Sequence, residues 1–158
     1  MKVLIVYDSV HGNTEQIAQA MGKSLNNEMD VKVVRGNEVK TDHLTGLNLL
    51  IVGSPTHGGR FTESIQTFFK DKELSIKNIN VAAFDTRTLS TGIVGAIEKV
   101  FGRAAVRIAD VLKRKGGILL IQPEGFVVEG IKGPLKEGEL ERAETWVKIL
   151  VEKAKSFA

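Results

Sequence analysis

The sequence contains no cysteine, and this absence excludes several kinds of chemistry. Structural disulfides, iron–sulfur clusters and thiolate nucleophiles all require cysteine sulfur. Only three histidines occur among the 158 residues, and none belongs to a close cluster of histidines and carboxylates. Since a protein-bound metal ion needs such a cluster, we expect no metal site.

Long apolar runs and prolines are also scarce. No run approaches the roughly 20 apolar residues of a membrane-spanning helix, and there are only three prolines and no low-complexity segments. The chain enters a predicted strand at once, which predicts that it has no signal or transit peptide. We therefore expect a cytoplasmic protein that does not bind membranes. Its ordinary shares of apolar (42%) and charged (26%) residues predict one domain, residues 1–158.

A large excess of charge of one sign is missing as well. The formal net charge is +3, and basic residues are mostly interspersed with acidic ones. The densest basic group, residues 113–115, closes a predicted helix, where cations complement the helix dipole. Because this group is short and lacks interleaved aromatic residues, we predict no binding to nucleic acid.

Five short apolar runs recur along the chain, and each is nearly continuous rather than alternating. Continuous runs predict strands buried on both faces, as in a parallel sheet covered by helices. The runs are residues 3–7, 31–34, 49–53, 81–84 and 118–121.

Apolar residues at helical spacing predict helices in the segments between and after the runs, and one such face includes Ile65, Phe68 and Phe69. A longer stripe runs from Ile93 to Leu112, with a bend expected at Gly102. The last stripe runs from Leu140 to Ala154, and Trp146 beside it is expected to be half-buried. The weakest segment is 37–46, for which we expect a short helix or an irregular crossover.

This alternation predicts an α/β fold, a doubly wound sandwich with helices on both faces of a parallel sheet. Ligands bind such sheets at the carboxyl ends of the strands. The segments in which to look for a site therefore follow the predicted strands. They are residues 8–14, 54–60, 85–95 and 122–130.

The first of these segments is the most informative. It joins an apolar strand to a helix start through Ser9, Gly12, Asn13 and Thr14. The first N–H groups of a helix lack internal partners and carry the positive end of the helix dipole, so they attract anions. Lone Ser or Thr residues are more often helix caps, but their joint placement here favours an anion site. Because the segment has no Lys or Arg, it suits the terminal phosphate of a cofactor better than a nucleoside triphosphate.

The second and third segments suit a flat ligand, although each also has an ordinary structural explanation. Gly58 and Gly59 let the main chain approach a ligand closely, but a glycine pair also makes a common turn. Asp85 begins a polar segment that offers hydrogen-bond donors and acceptors, but an aspartate there also caps the turn after a strand. Arg87 suits an anionic ligand or, equally, a surface carboxylate.

Taken together, these segments resemble those of the flavodoxin family. Residues 7–15, YDSVHGNTE, are similar to that family's phosphate loop, an aromatic-x-Ser/Thr-x-x-Gly-Asn-Thr pattern. Residues 53–59, GSPTHGG, are similar to its second loop, which lies along the isoalloxazine ring, and residues 85–87 stand where its third loop begins. The resemblance covers essentially the whole chain. It implies a three-layer flavodoxin-like sandwich whose five parallel strands are ordered 2-1-3-4-5.

The resemblance also implies FMN as a non-covalent cofactor. The residues implied around its phosphate are Ser9, Val10, His11, Gly12, Asn13 and Thr14. The residues implied at its ring are Pro55, Thr56, His57, Gly58, Gly59, Asp85, Thr86, Arg87 and Leu89. Among them, Gly58 is the residue whose carbonyl is implied to turn toward the flavin N5.

Two departures from the family's pattern carry expectations of their own. Flavodoxins commonly place an aromatic ring against the flavin, where this sequence offers His57 and Leu89, so we expect weaker stacking and a more open ring. Flavodoxins are also commonly acidic, whereas this chain is slightly basic and has His57 and Arg60 beside the implied ring. We therefore expect the fully reduced flavin to be easier to reach than in an acidic flavodoxin.

The leading functional hypothesis is an electron carrier that meets redox partner proteins at the exposed flavin edge. The site segments contain no Ser–His–Asp set and no paired catalytic carboxylates, so we expect no catalytic residue. The alternative is an enzyme, an FMN-dependent NAD(P)H:quinone or flavin oxidoreductase on the same fold, which an open ring and the cations Arg60 and Arg87 favour. A third hypothesis is a non-redox protein that keeps the fold and has lost the cofactor.

Overall fold

The computed structural model describes residues 1–89, 93, 96 and 103–157. Within these residues, six strands form one sheet in which every neighbouring pair is parallel. The strands are β1 (Lys2–Tyr7), β2 (Asp30–Arg35), β3 (Leu49–Pro55), β4 (Asn80–Thr88), β5 (Ile118–Leu119) and β6 (Glu124–Val128).

Helices join the strands. In the described residues they are α1 (Asn13–Leu25), α2 (Thr41–Leu44), α3 (Glu63–Lys70), α4 (Ala104–Arg114) and α5 (Glu139–Ser156), with a 3-10 turn at Gly36–Glu38. The segment 37–46, predicted as weakly helical, holds most of that turn and the four-residue α2. The stripe predicted to begin at Ile93 continues in α4, where Ile108 and Leu112 are buried. Its stretch 97–102, with the bend predicted at Gly102, lies outside the described residues.

The strands are ordered β2-β1-β3-β4-β5, which confirms the predicted order, and β6 also pairs with β4. In this register, Tyr7 at the end of β1 lies between Arg35 of β2 and Gly53 of β3. The loops after β1 and β3 therefore leave the same edge of the sheet, beside the point where the strand order reverses. That point is where doubly wound sheets bind their ligands.

The sheet separates two apolar cores, because successive residues of a strand point to opposite faces. On one face, buried residues such as Ile5 and Phe84 pack with α1 and α5. On the other, buried residues such as Val6 and Val52 pack with α3 and α4. Helices thus cover both faces, which confirms the predicted three-layer sandwich.

The structure corrects the predicted ends of the last two strands. β4 continues to Thr88, so residues 85–88 belong to a strand and not to a loop. The predicted strand 118–121 is reduced to Ile118–Leu119, whereas residues 124–128, predicted as loop, form β6. The extension of β4 and the formation of β6 have one cause, because β6 pairs with residues 84–88 of β4. Ladder hydrogen bonds stabilise both segments although residues 85–88 of β4 are all polar.

Trp146 of α5 also departs from expectation, since its position beside the apolar stripe predicted a half-buried ring. The structure buries it in the core. Its ring meets Phe84 and Phe126 edge-on, with centroid distances of 6.3 and 6.1 Å. Gly53 makes room for this aromatic cluster, because a Cβ at that position would lie 2.0 Å from the ring of Phe84.

Candidate functional site

A cavity of about 240 Å³ lies at the carboxyl edge of the sheet, between the last residues of β4 and the chain at the ends of β1, β3 and β6. The predicted site residues that line it are Ser9, Val10, His11, Asn13, Thr14, Pro55, Thr56, His57, Thr86 and Arg87. Three further lining residues were not among the predicted site residues: Thr88 and Val128, which lie in the indicated segments 85–95 and 122–130, and Ile131, which lies outside them. The predicted residues that are not among its lining residues are Gly12, Gly58, Gly59, Asp85 and Leu89. The structure therefore brings together residues from all four segments in which the sequence predicted a site.

The turn between β1 and α1 leaves helix donors free at one end of this cavity. Gly12 precedes α1 with a left-handed φ of 89°, a conformation that favours glycine. Its N–H donates to Ser9 Oγ at 3.0 Å, and the N–H of Gln16 donates to its carbonyl at 3.1 Å. The N–H groups of residues 13–15 precede this first helical bond and have no carbonyl to reach within the helix. They lie at the start of a 13-residue helix, where the sequence predicted an anion site.

Two contacts with distant parts of the chain fix the position of this turn. Thr14 Oγ1 lies 2.7 Å from Thr86 Oγ1, so a buried hydrogen bond joins the start of α1 to β4. Gly133 lies against the Asn13 side chain, since a Cβ on Gly133 would stand 2.6 Å from Asn13 Oδ1. Both residues that hold the turn are distant in sequence: Thr86 follows it by more than 70 positions and Gly133 by more than 100.

The second segment forms a tight turn. His57 and Arg60 exchange backbone hydrogen bonds of 3.0 Å in both directions. Gly58 and Gly59 between them have positive φ angles of 56° and 76°, the pair of left-handed conformations of a type I′ hairpin turn. Thr56 anchors the turn, because its N–H donates to Thr86 O at 2.9 Å and its Oγ1 accepts from Ala104 N at 3.2 Å.

Asp85 was predicted to lie near the flavin ring. In the structure its carboxylate is fully buried. Its Oδ1 accepts from Arg87 Nε at 2.5 Å, and its Oδ2 accepts from Ala105 N in the first turn of α4 at 2.9 Å. Arg87 lies against Gly125, where any Cβ would collide with its guanidinium. Arg87 therefore lines the cavity as one partner of an ion pair with only 12% of its side chain exposed.

A cation that the sequence did not indicate stands beside the first segment. Arg35, at the end of β2, donates to Ser9 O at 3.2 Å, to Asp8 Oδ1 at 3.4 Å and to Glu15 Oε2 at 3.1 Å. Tyr7 donates its phenol proton to Glu15 Oε1 at 2.8 Å. Burial and, after it, this hydrogen bond raise the pKa of the Tyr7 phenol above its ordinary value. Arg35 reaches the first segment through the parallel pairing of β1 with β2, so no local sequence motif indicates its position.

The last wall of the cavity comes from β6 and the loop after it. Glu129 N donates to Pro134 O and Lys136 N donates to Val127 O, both at 2.9 Å, which folds residues 129–136 back along the end of β6. Val128 at the end of β6 and Ile131 in this strap line the cavity. The sequence indicated the segment 122–130 that contains Val128 but not Ile131, whose place depends on how the strap folds back along β6.

Glu139 and Arg142 of α5 hold β6 in place. Glu139 Oε2 accepts from Val127 N and from Arg142 Nη2, each at 2.7 Å, and Arg142 also donates to Gly125 O. The hydrogen bond from Arg142 is the main influence on the Glu139 carboxyl and holds its pKa below the ordinary value, although burial acts in the opposite direction. The Arg142 guanidinium lies 4.5 Å from the centroid of the Phe126 ring.

This combination of a doubly wound sheet, a helix start with unpaired N–H groups and a cavity at the strand switch agrees with the comparison with known proteins. A family model described as "Flavodoxin domain" matches residues 4–122, most of the chain. The chain belongs to the flavodoxin family. The resemblance inferred from its loops is therefore confirmed, and members of the flavodoxin family bind FMN.

Individual flavodoxins are similar to this chain to different extents. "Probable flavodoxin 1" of Bacillus subtilis (strain 168) is 31% identical over 86 residues, which are 52% of this chain and 54% of that protein. The match thus spans about half the length of this curated relative.

Two solved flavodoxins resemble the chain over nearly its whole length. A flavodoxin from the domain Archaea has 24% identity, a TM-score of 0.78, and coverage of 98% of this chain and 99% of its own. Oxidised flavodoxin 2 from Bacillus cereus has 23% identity, a TM-score of 0.77, and coverage of 97% and 99%. At these identities the likeness concerns the fold.

The chemistry of the cavity fits FMN. Free helix N–H groups and the side chains of Ser9, Asn13 and Thr14 offer neutral donors at one end. The hydroxyls of Thr86 and Thr88 and the apolar side chains of Val128 and Ile131 line other parts of the wall. This is the mixture that a molecule with a phosphate and a flat heterocycle requires. In the described part of the chain, we found no cluster of three or more His, Asp or Glu that could bind a metal ion.

None of the helices in the described residues, the 18-residue α5 included, is apolar enough over sufficient length to traverse a bilayer.

Proposed function

We propose that this flavodoxin-family chain binds FMN in the cavity at the carboxyl edge of its sheet and carries electrons between redox partner proteins. The observation that carries the proposal is the convergence of a free helix start on one cavity with the ends of β3, β4 and β6 and the residues that follow β3 and β6. Neutral donors suffice for a phosphate when they are fixed in advance, because no further ordering of the loop is needed when the ligand arrives.

Each part of the cavity has a role in this proposal. The N–H groups of residues 13–15, with Ser9 and Thr14, would hold the phosphate. Thr56 and the turn of residues 57–60 would lie on one side of the ring. The ends of β4 and β6, with Thr86 and Val128, would lie near its other edges.

Bound FMN would supply the redox chemistry, since flavins accept and release electrons one or two at a time. The protein would fix the orientation of the ring and set the charge around it. The described residues that line the cavity include His11 and His57 but no Asp or Glu, so they hold no Ser–His–Asp set and no pair of catalytic carboxylates. Since electron transfer needs no general acid, base or nucleophile, this composition suits a carrier.

Exposed apolar side chains border the mouth of the cavity and suit contact with a partner protein. Val10 and Ile131, which also line the cavity, are 55% and 82% exposed, and Leu89 directly after β4 is 66% exposed. Exposed apolar residues grouped around a functional cavity are typical of protein–protein contact sites. The proposal therefore places the redox partner at this edge.

The test of FMN binding compares two ligands that differ only in the phosphate. Apoprotein is titrated with FMN and with riboflavin, and quenching of flavin fluorescence reports binding. We expect FMN to bind more tightly, because riboflavin cannot use the helix start. Protein that quenches neither flavin and stays colourless with excess FMN would refute the proposal.

An enzyme on the same fold is the second candidate function. One observation favours it: no Phe, Tyr or Trp is among the described residues that line the cavity, which leaves a ring face open to a second molecule such as NAD(P)H or a quinone. Steady-state oxidation of NADPH by the FMN-loaded protein distinguishes the two functions. A carrier shows negligible turnover with NADPH alone, whereas chemically reduced carrier passes electrons to an added haem protein.

A further inference from the structure

We propose that Arg35 is a positioning residue for the phosphate of the cofactor: it fixes the loop after β1 and offsets part of the negative charge of two carboxylates that would otherwise repel the phosphate. The inference rests on the proposed binding of FMN and adds a residue outside the cavity to it. Arg35 is not among the lining residues, so its effect on the ligand passes through the residues that it holds.

The geometry shows a single guanidinium spanning both ends of the anion site. One nitrogen, Nη1, contacts Ser9 O at 3.2 Å and Asp8 Oδ1 at 3.4 Å, where the chain leaves β1. The other, Nη2, contacts Glu15 Oε2 at 3.1 Å in the first turn of α1. The free N–H groups of α1 lie along the chain between these anchored points. Arg35 therefore clamps the segment that receives the anion.

Arg35 is itself held firmly. Its guanidinium carbon lies 5.3 Å from the centroid of the Tyr7 ring, within the range of a cation–π contact. Tyr7 in turn donates to the other oxygen of Glu15 at 2.8 Å. Glu15 is thus bound at both of its oxygens, and the four side chains of Tyr7, Asp8, Glu15 and Arg35 form one network.

The charges of this network explain why a cation is needed there. The first segment, residues 8–14, has no Lys or Arg, but the carboxylates of Asp8 and Glu15 stand at its two ends. Each would repel a phosphate dianion bound at the helix start. The two carboxylates and Arg35 keep only 17%, 39% and 33% of their side chains exposed, so solvent and salt screen them incompletely. Arg35 cancels one of the two negative charges and draws both carboxylates toward itself.

A structural role and an electrostatic role predict different ligand profiles. If Arg35 only kept the loop folded, its loss would weaken FMN and riboflavin alike. If Arg35 offsets the carboxylates, its loss would weaken FMN selectively, because riboflavin carries no phosphate. Arg35→Gln removes the charge, and Arg35→Lys keeps it while losing the forked geometry.

The experiment titrates apoprotein of each variant with FMN and with riboflavin at about 20 mM and about 500 mM salt. For Arg35→Gln we expect the Kd for FMN to rise roughly 5- to 10-fold at low salt, the scale of one partly screened charge interaction. The Kd for riboflavin should change less than about twofold, and the FMN effect should shrink at high salt. Arg35→Lys should retain most of the affinity for FMN.

Two further variants complete the test. Glu15→Gln in the Arg35→Gln background should recover part of the FMN affinity, because it removes one of the two negative charges that Arg35 no longer offsets. Glu15→Gln alone should bind FMN more tightly than the unaltered protein, with riboflavin unchanged, and this arm remains informative if Arg35→Gln does not fold. Arg114→Gln at the far end of α4 is the matched control for the loss of one positive charge and should leave both affinities unchanged.

The outcomes separate this inference from the function on which it rests. Unaltered protein that binds neither flavin overturns the proposed function and the inference together. Unaltered protein that binds FMN, with Arg35→Gln weakening FMN and riboflavin equally or not at all, overturns the inference alone. Equal binding of FMN by Arg35→Gln and Arg114→Gln overturns it as well.

Discussion

At the scale of single residues, the site depends on polar side chains that serve the fold and the ligand at once. Thr14 lies on the cavity wall and is only 1% exposed. Its hydroxyl is hydrogen-bonded to that of Thr86 on β4, with the two oxygens 2.7 Å apart. Because a hydroxyl has one donor and two acceptor positions, Thr14 can keep this contact and still face an anion at the helix start.

Replacing Thr14 tests this double role. We expect Thr14→Ala to weaken FMN binding by about 1–2 kcal/mol, the usual scale for a hydrogen bond to a charged group. Thr14→Ser keeps the hydroxyl and should keep most of the affinity. Fluorescence-quench titration of the two apoproteins measures the difference, and a thermal melt of each apoprotein reports the loss of the contact with Thr86. Equal FMN affinity in both variants would count against Thr14 as a phosphate ligand.

Asp85 differs from Thr14, since both oxygens of its carboxylate accept hydrogen bonds from within the protein. Asp85→Asn leaves the Arg87 guanidinium without its anionic partner at a site where 12% of that side chain is exposed. Breaking a buried pair on one side costs about 3–5 kcal/mol, so we expect a large fall in the free energy of unfolding of the apoprotein. Urea denaturation measures it. Asp110→Asn is the control, because Asp110 and Lys113 form an ion pair with both side chains 52% exposed, and it should cost less than about 1 kcal/mol.

At the scale of elements, local sequence predicted those whose own side chains determine their structure. β1 and β3 are continuous apolar runs buried on both faces, and α3 was evident from the spacing of Ile65, Phe68 and Phe69. β6 was missed, because it lies at the sheet edge and its residues 124–128 include one glycine and one glutamate. Its structure depends on pairing with β4 and on contacts from α5, and neither can be read from the segment itself.

The same distinction applies to the site. Ser9, Asn13 and Thr14 form a local motif, and its function as a helix start can be read from adjacent residues. Arg35 and Ile131 reach the site only through strand pairing and through the strap after β6. Sequence alone therefore predicted the parts of the site that lie within one loop, and missed those that depend on neighbouring strands.

The junction between β6 and α5 predicts a specific response to acid. Because Arg142 holds the pKa of the Glu139 carboxyl below its ordinary value near 4.5, folding favours the ionised form. Its contribution to stability is complete above about pH 4.5 and is lost as the pH falls through the lower folded-state pKa. The stability difference between the unaltered protein and Glu139→Gln should therefore be largest near neutral pH and shrink below about pH 4.5.

Urea unfolding at several pH values between about 3 and 7 measures this difference. Glu152→Gln is the matched control, since Glu152 pairs with Lys155 at the same spacing but keeps 72% of its side chain exposed. It should show little effect at any pH. A Glu139→Gln penalty that stays constant down to pH 3 would mean that the carboxylate charge does not hold β6.

At the scale of the whole molecule, the charge of the protein acts on any charge held in the cavity. The net charge is +3 and the sequence pI is about 9.2. A positive protein stabilises the negative charge that a bound flavin gains on full reduction, and salt screens this effect. The fully reduced state should therefore become harder to reach as salt is added, the opposite of the trend for an acidic protein.

The size of the effect follows from Coulomb's law. Three positive charges acting on one negative charge at roughly 15 Å in water contribute about 0.8 kcal/mol, or roughly 35 mV. We expect the potential of the second electron to fall by a few tens of millivolts, at most about 35 mV, between about 10 mM and about 1 M salt. Spectroelectrochemical titration of the FMN-loaded protein measures it. Arg114→Glu with Lys115→Glu, at the end of the molecule opposite the cavity, changes the net charge from +3 to −1 without touching the site. This double variant should reverse the sign of the salt dependence, and an unchanged slope would show that nearby side chains such as His57 set the potential instead.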